Sequence, residues 1–326
     1  MDSDLEIARA AKPMKIDEVA NQLGLASSDL ILHGPHIAKV SWDALSSGIT
    51  NKKGKLILVT SVNPTPYGEG KTVTTIGLNQ GLNHRGHNAC CVIREPSLGP
   101  VFGIKGGAAG GGLSQVLPME QINLHFTGDL HAITSAHNLC SAILDNHLHR
   151  GNDLDIDTNR IFWPRVIDMN DRTLREVSIG LGGPSTGVTR SERFDITAAS
   201  EVMAILSLSK NYEDLRSRLG RIIVAESKSG LPVTAEQLGA SGSMALLLRE
   251  AMLPNLVQTL EGNPAFVHCG PFANIAHGNS SIIADDLALS RADYVVTEAG
   301  FGAEMGAEKA LHIKALASEV APSCIV

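Results

Sequence analysis

Short apolar runs alternate with amphipathic stretches along most of this chain. Such runs are typical of β-strands that are covered on both faces of a sheet. The runs cover residues 56–59, 89–93, 165–169, 221–225, 265–269 and 294–297. The stretches with apolar residues at helical spacing cover residues 16–23, 71–82, 130–148, 197–208, 215–219, 244–252 and 282–289. This alternation predicts an α/β fold with a mostly parallel sheet and helices on both of its faces.

The composition supports a folded chain and narrows its partners. Of the 326 residues, 43% are hydrophobic and 19% are charged, so the chain can bury a substantial core. The net charge is -7 and the basic residues are scattered, so we expect no nucleic-acid partner. The apolar runs are too short to cross a bilayer, and the five cysteines contain no CxxC pair. We therefore expect a cytoplasmic protein without a membrane partner.

A glycine-containing loop follows the first apolar run and leads into a helical stretch. Its residues are Thr65, Pro66, Tyr67, Gly68, Glu69, Gly70, Lys71 and Thr72. Glycines let backbone N–H groups approach phosphate oxygens, and a helix N-terminus adds positive partial charge. Lys71 would bind the β- and γ-phosphates, and the Thr72 hydroxyl could reach Mg²⁺. Although Thr65 stands where the standard pattern has glycine, the strand–loop–helix context favours an ATP-binding loop, like that of phosphate-loop NTPases, over an ordinary turn.

Two unusual segments follow the second predicted strand. Residues 94–100 begin with Arg94 and Glu95 at the C-terminal end of a strand, where parallel sheets bind ligands. Arg94 could bind a carboxylate or a phosphate through two parallel hydrogen bonds, although a structural Arg–Glu pair would give the same sequence. Residues 103–112 contain six glycines, which is typical of backbone packed against a ligand or of a mobile loop.

These segments, in this order and spacing, resemble the formate–tetrahydrofolate ligase family, also called formyltetrahydrofolate synthetases. The resemblance extends over nearly the whole chain. It is carried by residues 65–72, 94–100, 103–112, 123–129, 168–172, 194–197, 255–278 and 297–302. It implies an enzyme of one-carbon metabolism whose small-molecule substrates are Mg-ATP, formate and tetrahydrofolate.

The resemblance also implies a mechanism and roles for individual residues. Formate attacks the γ-phosphate of ATP to give formyl phosphate, and N10 of tetrahydrofolate then attacks the formyl carbon and expels phosphate. Lys71 and Arg94 stabilise formyl phosphate, and Glu95 orients the same site. Phe301 is similar to the aromatic residue that stacks on the pterin in this family, and Glu298 could accept hydrogen bonds from pterin N–H groups.

The histidines give a weaker signal. His125 and His268 are possible hydrogen-bond donors to an oxyanion or a phosphate, and a purely structural role explains either residue equally well. The spacing of the twelve histidines does not favour a metal site. The only metal ligand that we predict is Thr72, for Mg²⁺, while the resemblance implies a monovalent cation and a homo-oligomer.

The division into domains follows from the same pattern. We expect a nucleotide-binding α/β domain over residues 1–300, with a helical lead-in over residues 1–50, and the start of a following region over residues 301–326. Residues 324–326 have the pattern of a strand that is just beginning, so we expect the chain to be cut short at its C-terminus. On that expectation, the second aromatic residue of the family's pterin sandwich, a tryptophan, lies outside the chain.

Two other interpretations stay open at this point. The chain could be another phosphate-loop enzyme that phosphorylates a different small carboxylate and makes no folate contacts. It could also be a shortened nucleotide-binding relative that binds ATP without turnover. Assays for phosphoryl transfer and for folate binding separate these possibilities from the ligase.

Overall fold

The computed structural model describes residues 3–48, 54–103 and 109–326, so the middle of the glycine-rich segment 103–112 lies outside the described residues. The strands are β1 (Leu30–Leu32), β2 (Ala38–Val40), β3 (Lys55–Val59), β4 (Ala89–Ile93), β5 (Gly110–Gly111), β6 (Ser114–Leu117), β7 (Ile156–Ile161), β8 (Arg165–Ile167), β9 (Val177–Ile179), β10 (Arg190–Glu192), β11 (Phe194–Ile196), β12 (Ile223–Ser227), β13 (Pro232–Thr234), β14 (Asn255–Thr259), β15 (Pro264–Val267), β16 (Tyr294–Glu298) and β17 (Cys324–Ile325). The α-helices are α1 (Asp4–Ala10), α2 (Ile16–Gln22), α3 (Trp42–Gly48), α4 (Lys71–His84), α5 (Leu98–Val101), α6 (Met119–Asn123), α7 (Asp129–His149), α8 (Glu201–Leu208), α9 (Tyr212–Gly220), α10 (Ser241–Leu247), α11 (Ile282–Arg291) and α12 (Ala315–Ser318). Two π-helical segments, Gly302–Ala307 and Ala310–Lys314, precede α12.

The apolar runs form the parallel centre of the main sheet. Within the described residues this sheet has ten strands, and its main path follows the order β1-β2-β14-β15-β4-β16-β3-β17. The pairs β15–β4, β4–β16, β16–β3 and β3–β17 are parallel. Every residue of β4 is buried, because this central strand is covered on both faces. The protein is thus a mixed α/β protein with a largely parallel central sheet, as the sequence predicts.

One flank of this sheet is antiparallel, which the apolar pattern does not show. The pairs β1–β2, β2–β14 and β14–β15 are antiparallel, and β6 joins the C-terminal end of β14 in the same sense. The turn between β14 and β15 contains Gly262 at a φ of +79°, in the left-handed region that glycine adopts without strain. An apolar run indicates burial but not the direction of the neighbouring strand, so the sequence overstates the parallel fraction of the sheet.

The chain forms two compact units. The first consists of the chain up to Gly128 together with Leu253–Val326, and it contains the main sheet. The second, Asp129–Met252, contains α7 to α10 and three small sheets, in the orders β13-β12-β7, β10-β9 and β11-β8. The runs at 165–169 and 221–225 form β8 and β12 of this second unit, so placing them in the large parallel sheet was wrong. The predicted boundary at residue 300 separates a nucleotide-binding domain from a following region, which is not the division between these two units. It stays a prediction.

The core of the second unit includes a buried histidine on α7. The rings of His137 and Trp163 are stacked with their centroids 4.0 Å apart. His137 Nε2 lies 2.8 Å from the carbonyl oxygen of Pro164, and Trp163 Nε1 donates to the carbonyl oxygen of His137 at 3.2 Å. Burial lowers the pKa of His137 to about 4.

None of the described helices combines the length and the apolar composition that a membrane-spanning segment needs.

Candidate active site

The predicted phosphate loop connects β3 to α4, as the strand–loop–helix pattern requires. Gly68 has a φ of +94°, and Gly70, the cap residue of α4, has a φ of +74°. The Thr65 hydroxyl donates to the carbonyl oxygen of Gly68 at 2.9 Å, while Pro66 and Tyr67 lie exposed on the outside of the loop. A glycine cap has no side chain that could bind the first N–H groups of α4, so the cap leaves these groups to an anionic ligand.

Lys71, the first residue of α4, forms an ion pair with Glu69 inside the loop. Both side chains are buried, with 8% of Lys71 and 7% of Glu69 exposed. The second carboxylate oxygen of Glu69 accepts a hydrogen bond of 2.7 Å from the backbone N–H of Thr65. Glu69 therefore links the beginning of the loop to the lysine at its end, and a phosphate that binds Lys71 must compete with this carboxylate.

Thr72, Arg94 and Glu298 meet at the carboxyl edge of the parallel strands. Thr72 follows the loop after β3, Arg94 directly follows β4, and Glu298 is the last residue of β16, which lies between these two strands. The Thr72 hydroxyl donates to Glu298 Oε2 at 2.6 Å, and Arg94 Nε donates to Glu298 Oε1 at 3.2 Å. The structure thus brings the phosphate loop and Arg94 together, and a buried carboxylate connects them.

Glu95 is buried beside Arg94 because the backbone after β15 packs tightly against it. The Glu95 N–H donates to the carbonyl oxygen of Cys269 at 2.7 Å, and the His268 N–H donates to the carbonyl oxygen of Ile93 at 3.1 Å. The pairing of β4 with β15 therefore continues past the end of β4. A Cβ atom on Gly270 would lie 2.3 Å from the carbonyl oxygen of Glu95, so only glycine fits at this position.

The two predicted catalytic histidines have different environments. His268 is buried, and its Nδ1 lies 2.6 Å from Ser281 Oγ, the hydroxyl that also caps α11 by accepting from the Ala284 N–H. His125 is exposed in the segment between α6 and α7. Across the described part of the chain, no hydrogen bond or ion pair joins His125 to Lys71 or Arg94. A catalytic role for either histidine stays a prediction.

Phe301 begins the segment that leaves the sheet after β16. It is half-buried and directly precedes the π-helical segment Gly302–Ala307. Close packing fixes the turn around it: a Cβ atom on Gly300 would lie 2.1 Å from Cβ of Ala273, and one on Gly306 would lie 1.9 Å from the carbonyl oxygen of Gly300. Phe301 therefore lies at the same edge of the sheet as Glu298. The carboxylate of Glu298, however, binds Thr72 and Arg94.

A group of buried and half-buried basic residues lies near Arg94, and the sequence pattern did not indicate it. Burial, followed by the positive charges of Lys314, Arg94 and Lys309, lowers the pKa of His277 to about 3, so this histidine is neutral near pH 7. Lys314 pairs with Asp285 at 2.6 Å, with both side chains buried, and Lys309 Nζ donates to the carbonyl oxygen of Ala273. Nothing in the sequence near Lys314 indicates burial, because lysines on a helical segment usually face solvent.

The donor atoms at this edge fit a hard cation. The described residues contain no cluster of three or more histidine, cysteine, aspartate or glutamate side chains that could hold a metal. Mg²⁺ does not need such a cluster, because it keeps several waters and combines substrate phosphates with one or two protein oxygens. The Thr72 hydroxyl and the Glu298 carboxylate, 2.6 Å apart, provide oxygens of this kind.

The fold and this site define an α/β protein with a glycine-containing loop, a lysine and an arginine at the carboxyl edge of its parallel strands. The model of the formate–tetrahydrofolate ligase family matches residues 2–326, and the chain belongs to this family.

Formate–tetrahydrofolate ligases from several bacteria are similar to the chain. The protein from Ruegeria sp. (strain TM1040) is 59% identical over 324 residues, and that from Mesorhizobium japonicum is also 59% identical over 324 residues. The protein from Roseiflexus castenholzii is 58% identical over 326 residues. The alignments cover 99% to 100% of this chain but 58% of each relative, so the chain spans little more than half the length of these proteins.

Proposed function

We propose that this chain carries the ATP-dependent ligation of formate to tetrahydrofolate, which gives 10-formyltetrahydrofolate, ADP and phosphate. The observation that carries the proposal is the joining of the phosphate loop to Arg94 through Glu298 at the carboxyl edge of the sheet. Family membership supports it, and the relatives described above, which align with 99% to 100% of the chain, are formate–tetrahydrofolate ligases.

The loop and α4 would bind the phosphates of ATP in the manner of phosphate-loop NTPases. Residues 65–72 supply backbone N–H groups and the positive end of a 14-residue helix. Lys71 would exchange its bond to Glu69 for the β- and γ-phosphates, and this exchange keeps the lysine charge paired throughout. Mg²⁺, when bound through Thr72, would neutralise part of the phosphate charge.

The first chemical step would join a formate oxygen to the γ-phosphorus while the bond to the β-phosphate oxygen breaks and ADP leaves. Phosphoryl transfer asks the protein mainly to position groups and to stabilise charge. Lys71 on one side and Arg94 on the other would hold the transferred phosphoryl group, and buried Glu95 would fix the backbone that carries Arg94. His125 and His268 remain candidate hydrogen-bond donors in this step.

The second step would bring tetrahydrofolate to the same edge of the sheet. Its N10 would attack the formyl carbon, the carbon–oxygen bond to phosphate would break, and inorganic phosphate would leave while the N10 proton passes to phosphate or solvent. Phe301 would stack on the pterin. Glu298 would be a hydrogen-bond acceptor for the pterin only through lone pairs that Thr72 and Arg94 do not use.

The proposal extends to the location, the oligomeric state and the cation requirement of the protein. A cytoplasmic location, a homo-oligomer and a monovalent cation fit the family resemblance. Small molecules would be the only substrates, since the scattered basic residues offer no surface for nucleic acid.

The test is formation of 10-formyltetrahydrofolate from formate, tetrahydrofolate and Mg-ATP, with ADP measured in parallel. We expect one product molecule for each ADP released, and no ADP above background when formate is omitted. Formate-dependent ADP release without a folate product would instead indicate a carboxylate kinase. Binding of Mg-ATP without any product would leave a nucleotide-binding relative without turnover.

A further inference from the structure

Glu298 occupies a position that no single motif of the site explains. Its side chain is only 3% exposed, and each carboxylate oxygen accepts a hydrogen bond from a different element, from Thr72 on α4 and from Arg94 after β4. Its backbone is equally fixed, because it lies in register with Val59 of β3 and its carbonyl oxygen accepts from Asn279 Nδ2 at 3.1 Å. A strand end held by backbone and side-chain hydrogen bonds therefore presents this carboxylate to side chains from two other elements.

The bond to Glu298 has a consequence for Arg94. It uses Nε, and in the described residues no further hydrogen bond involves the terminal Nη groups of Arg94. The Arg94 side chain is 23% exposed, so part of it is accessible to a ligand while Nε is bound to Glu298. An arginine held through Nε keeps its two Nη donors in a fixed plane, as bidentate binding of a phosphate or carboxylate requires.

We propose that Glu298 is a positioning residue for the phosphoryl-transfer step, because it fixes Arg94 and Thr72 relative to each other before an anion binds. This inference rests on the proposed function and deepens it. Ordering a free arginine side chain reduces affinity for its ligand, and Glu298 removes that cost by ordering the side chain during folding. In the phosphoryl-transfer step the carboxylate acts through Arg94 and Thr72 rather than on ATP or formate.

The direction in which Glu298→Gln changes phosphate affinity distinguishes a positioning role from a purely electrostatic effect of the Glu298 charge. Glu298 is negative and lies beside an anion site, so its charge alone repels phosphate. Glu298→Gln removes that repulsion and would strengthen phosphate binding if charge were its only contribution. If Glu298 positions Arg94, the same substitution weakens phosphate binding, because the guanidinium loses its charge-assisted partner.

The experiment is calorimetric titration of the full chain with inorganic phosphate in the presence of saturating Mg-ADP. The variants are Glu298→Gln and Glu298→Asp, the second of which keeps the charge but shortens the side chain by one methylene group. Glu304→Gln is the matched control, since Glu304 is an exposed glutamate in the following segment. Near-ultraviolet circular dichroism and thermal melting establish that each variant is folded, and Glu298→Asp tests the proposal if Glu298→Gln does not fold.

We expect the phosphate Kd to rise about tenfold in both Glu298 variants, which corresponds to the loss of one charge-assisted hydrogen bond, and to stay within twofold in the control. An unchanged or lower Kd in Glu298→Gln overturns the proposal, as does Glu298→Asp with wild-type affinity. Failure of the unsubstituted chain to bind phosphate overturns it as well, because Arg94 would then form no anion site.

A double-substitution cycle tests whether Glu298 acts through Arg94. In the Arg94→Ala background, Glu298→Gln should change the phosphate Kd less than twofold, because the guanidinium that Glu298 positions for the anion is gone. A full additional loss in that background would indicate a general structural role. The binding readout is independent of turnover. If the chain makes no 10-formyltetrahydrofolate but phosphate binding still depends on Glu298 and Arg94 together, the proposed function fails and the positioning role stands.

Discussion

At the scale of single residues, the buried pair of Lys71 and Glu69 sets what substitution at the phosphate loop will do. Lys71→Ala should reduce formate-dependent ADP formation by about 100- to 1000-fold, because a charge that stabilises the transferred phosphoryl group is lost. It also leaves the Glu69 carboxylate buried without its cation, which should cost ~1–3 kcal/mol of folding free energy. The measurements are ADP release and urea-induced unfolding.

A second substitution separates these two effects of Lys71→Ala. Adding Glu69→Gln removes the uncompensated charge, so the double variant should recover most of the stability and none of the activity. Phosphoryl transfer at the wild-type rate in Lys71→Ala would show that Lys71 does not hold the transferred group.

Gly270 offers a prediction about the backbone that supports Glu95. Gly270→Ala would place a Cβ atom 2.3 Å from the carbonyl oxygen of Glu95, so it should lower the free energy of unfolding by ~2 kcal/mol or more. The control is Gly81→Ala, since Gly81 lies within α4 with no atom near its would-be Cβ. That substitution should raise stability by ~0.5–1 kcal/mol. Equal effects of the two alanines on denaturant midpoints would contradict the packing argument.

The candidate site could be predicted from the sequence only in part. Lys71 and Thr72 belong to one local motif, and their positions after a strand follow from its pattern. Glu298 lies 226 residues from Thr72 and 204 from Arg94, so no local pattern predicts that its carboxylate joins them. The resemblance assigned Glu298 to the pterin, whereas its described hydrogen bonds go to the phosphate side of the site.

At the scale of elements, the apolar runs predicted the central strands because most residues of each strand are buried. The runs at 56–59, 89–93, 265–269 and 294–297 correspond to β3, β4, β15 and β16, which lie side by side. The same type of run at 165–169 and 221–225 formed strands of small sheets in the other unit. A strand pattern is local, and the choice of partner strand depends on contacts between distant parts of the chain, so the sequence alone did not separate these cases.

The element that follows β16 carries the prediction for folate. Phe301→Ala should raise the Kd of tetrahydrofolate about tenfold and change that of Mg-ATP less than twofold, because a stacking surface is lost while the phosphate loop is unchanged. Fluorescence titration with each ligand measures both constants. Phe162→Ala, at an exposed phenylalanine of the second unit, is the control. An equal loss of affinity for both ligands in Phe301→Ala would argue against stacking.

At the scale of the whole molecule, His277 in the first unit and His137 in the second link stability to pH, because both are buried and have a lowered pKa. The pKa of His277 is lowered to about 3 and that of His137 to about 4, both first by burial, from an ordinary value of 6.5. Above pH 6.5 each is neutral in the folded and unfolded chains and contributes nothing. As the pH falls below 6.5, the unfolded chain binds protons that the folded chain does not, so stability is lost progressively until the folded pKa is reached.

Between pH 7.5 and pH 5.5, each histidine should therefore cost about 1 kcal/mol of the free energy of unfolding of its unit. His277→Gln should remove this contribution from the first unit, and His137→Gln should remove it from the second. Urea unfolding at the two pH values, followed by a probe in each unit, measures the effect. Retention of the full pH dependence in the His277→Gln variant would show that other groups cause it.

The Glu69–Lys71 pair also has a consequence for which anions the loop can admit. A carboxylate tethered two residues from the lysine is present at a high effective concentration, so an anion from solution must outcompete it. Chloride or acetate carries one charge and is too small to contact Lys71 and the N–H groups of α4 together. A polyphosphate carries several charges and can contact both. Singly charged anions should therefore bind this loop weakly. Nucleotide binding should persist at salt concentrations that would saturate a cationic pocket without a tethered carboxylate.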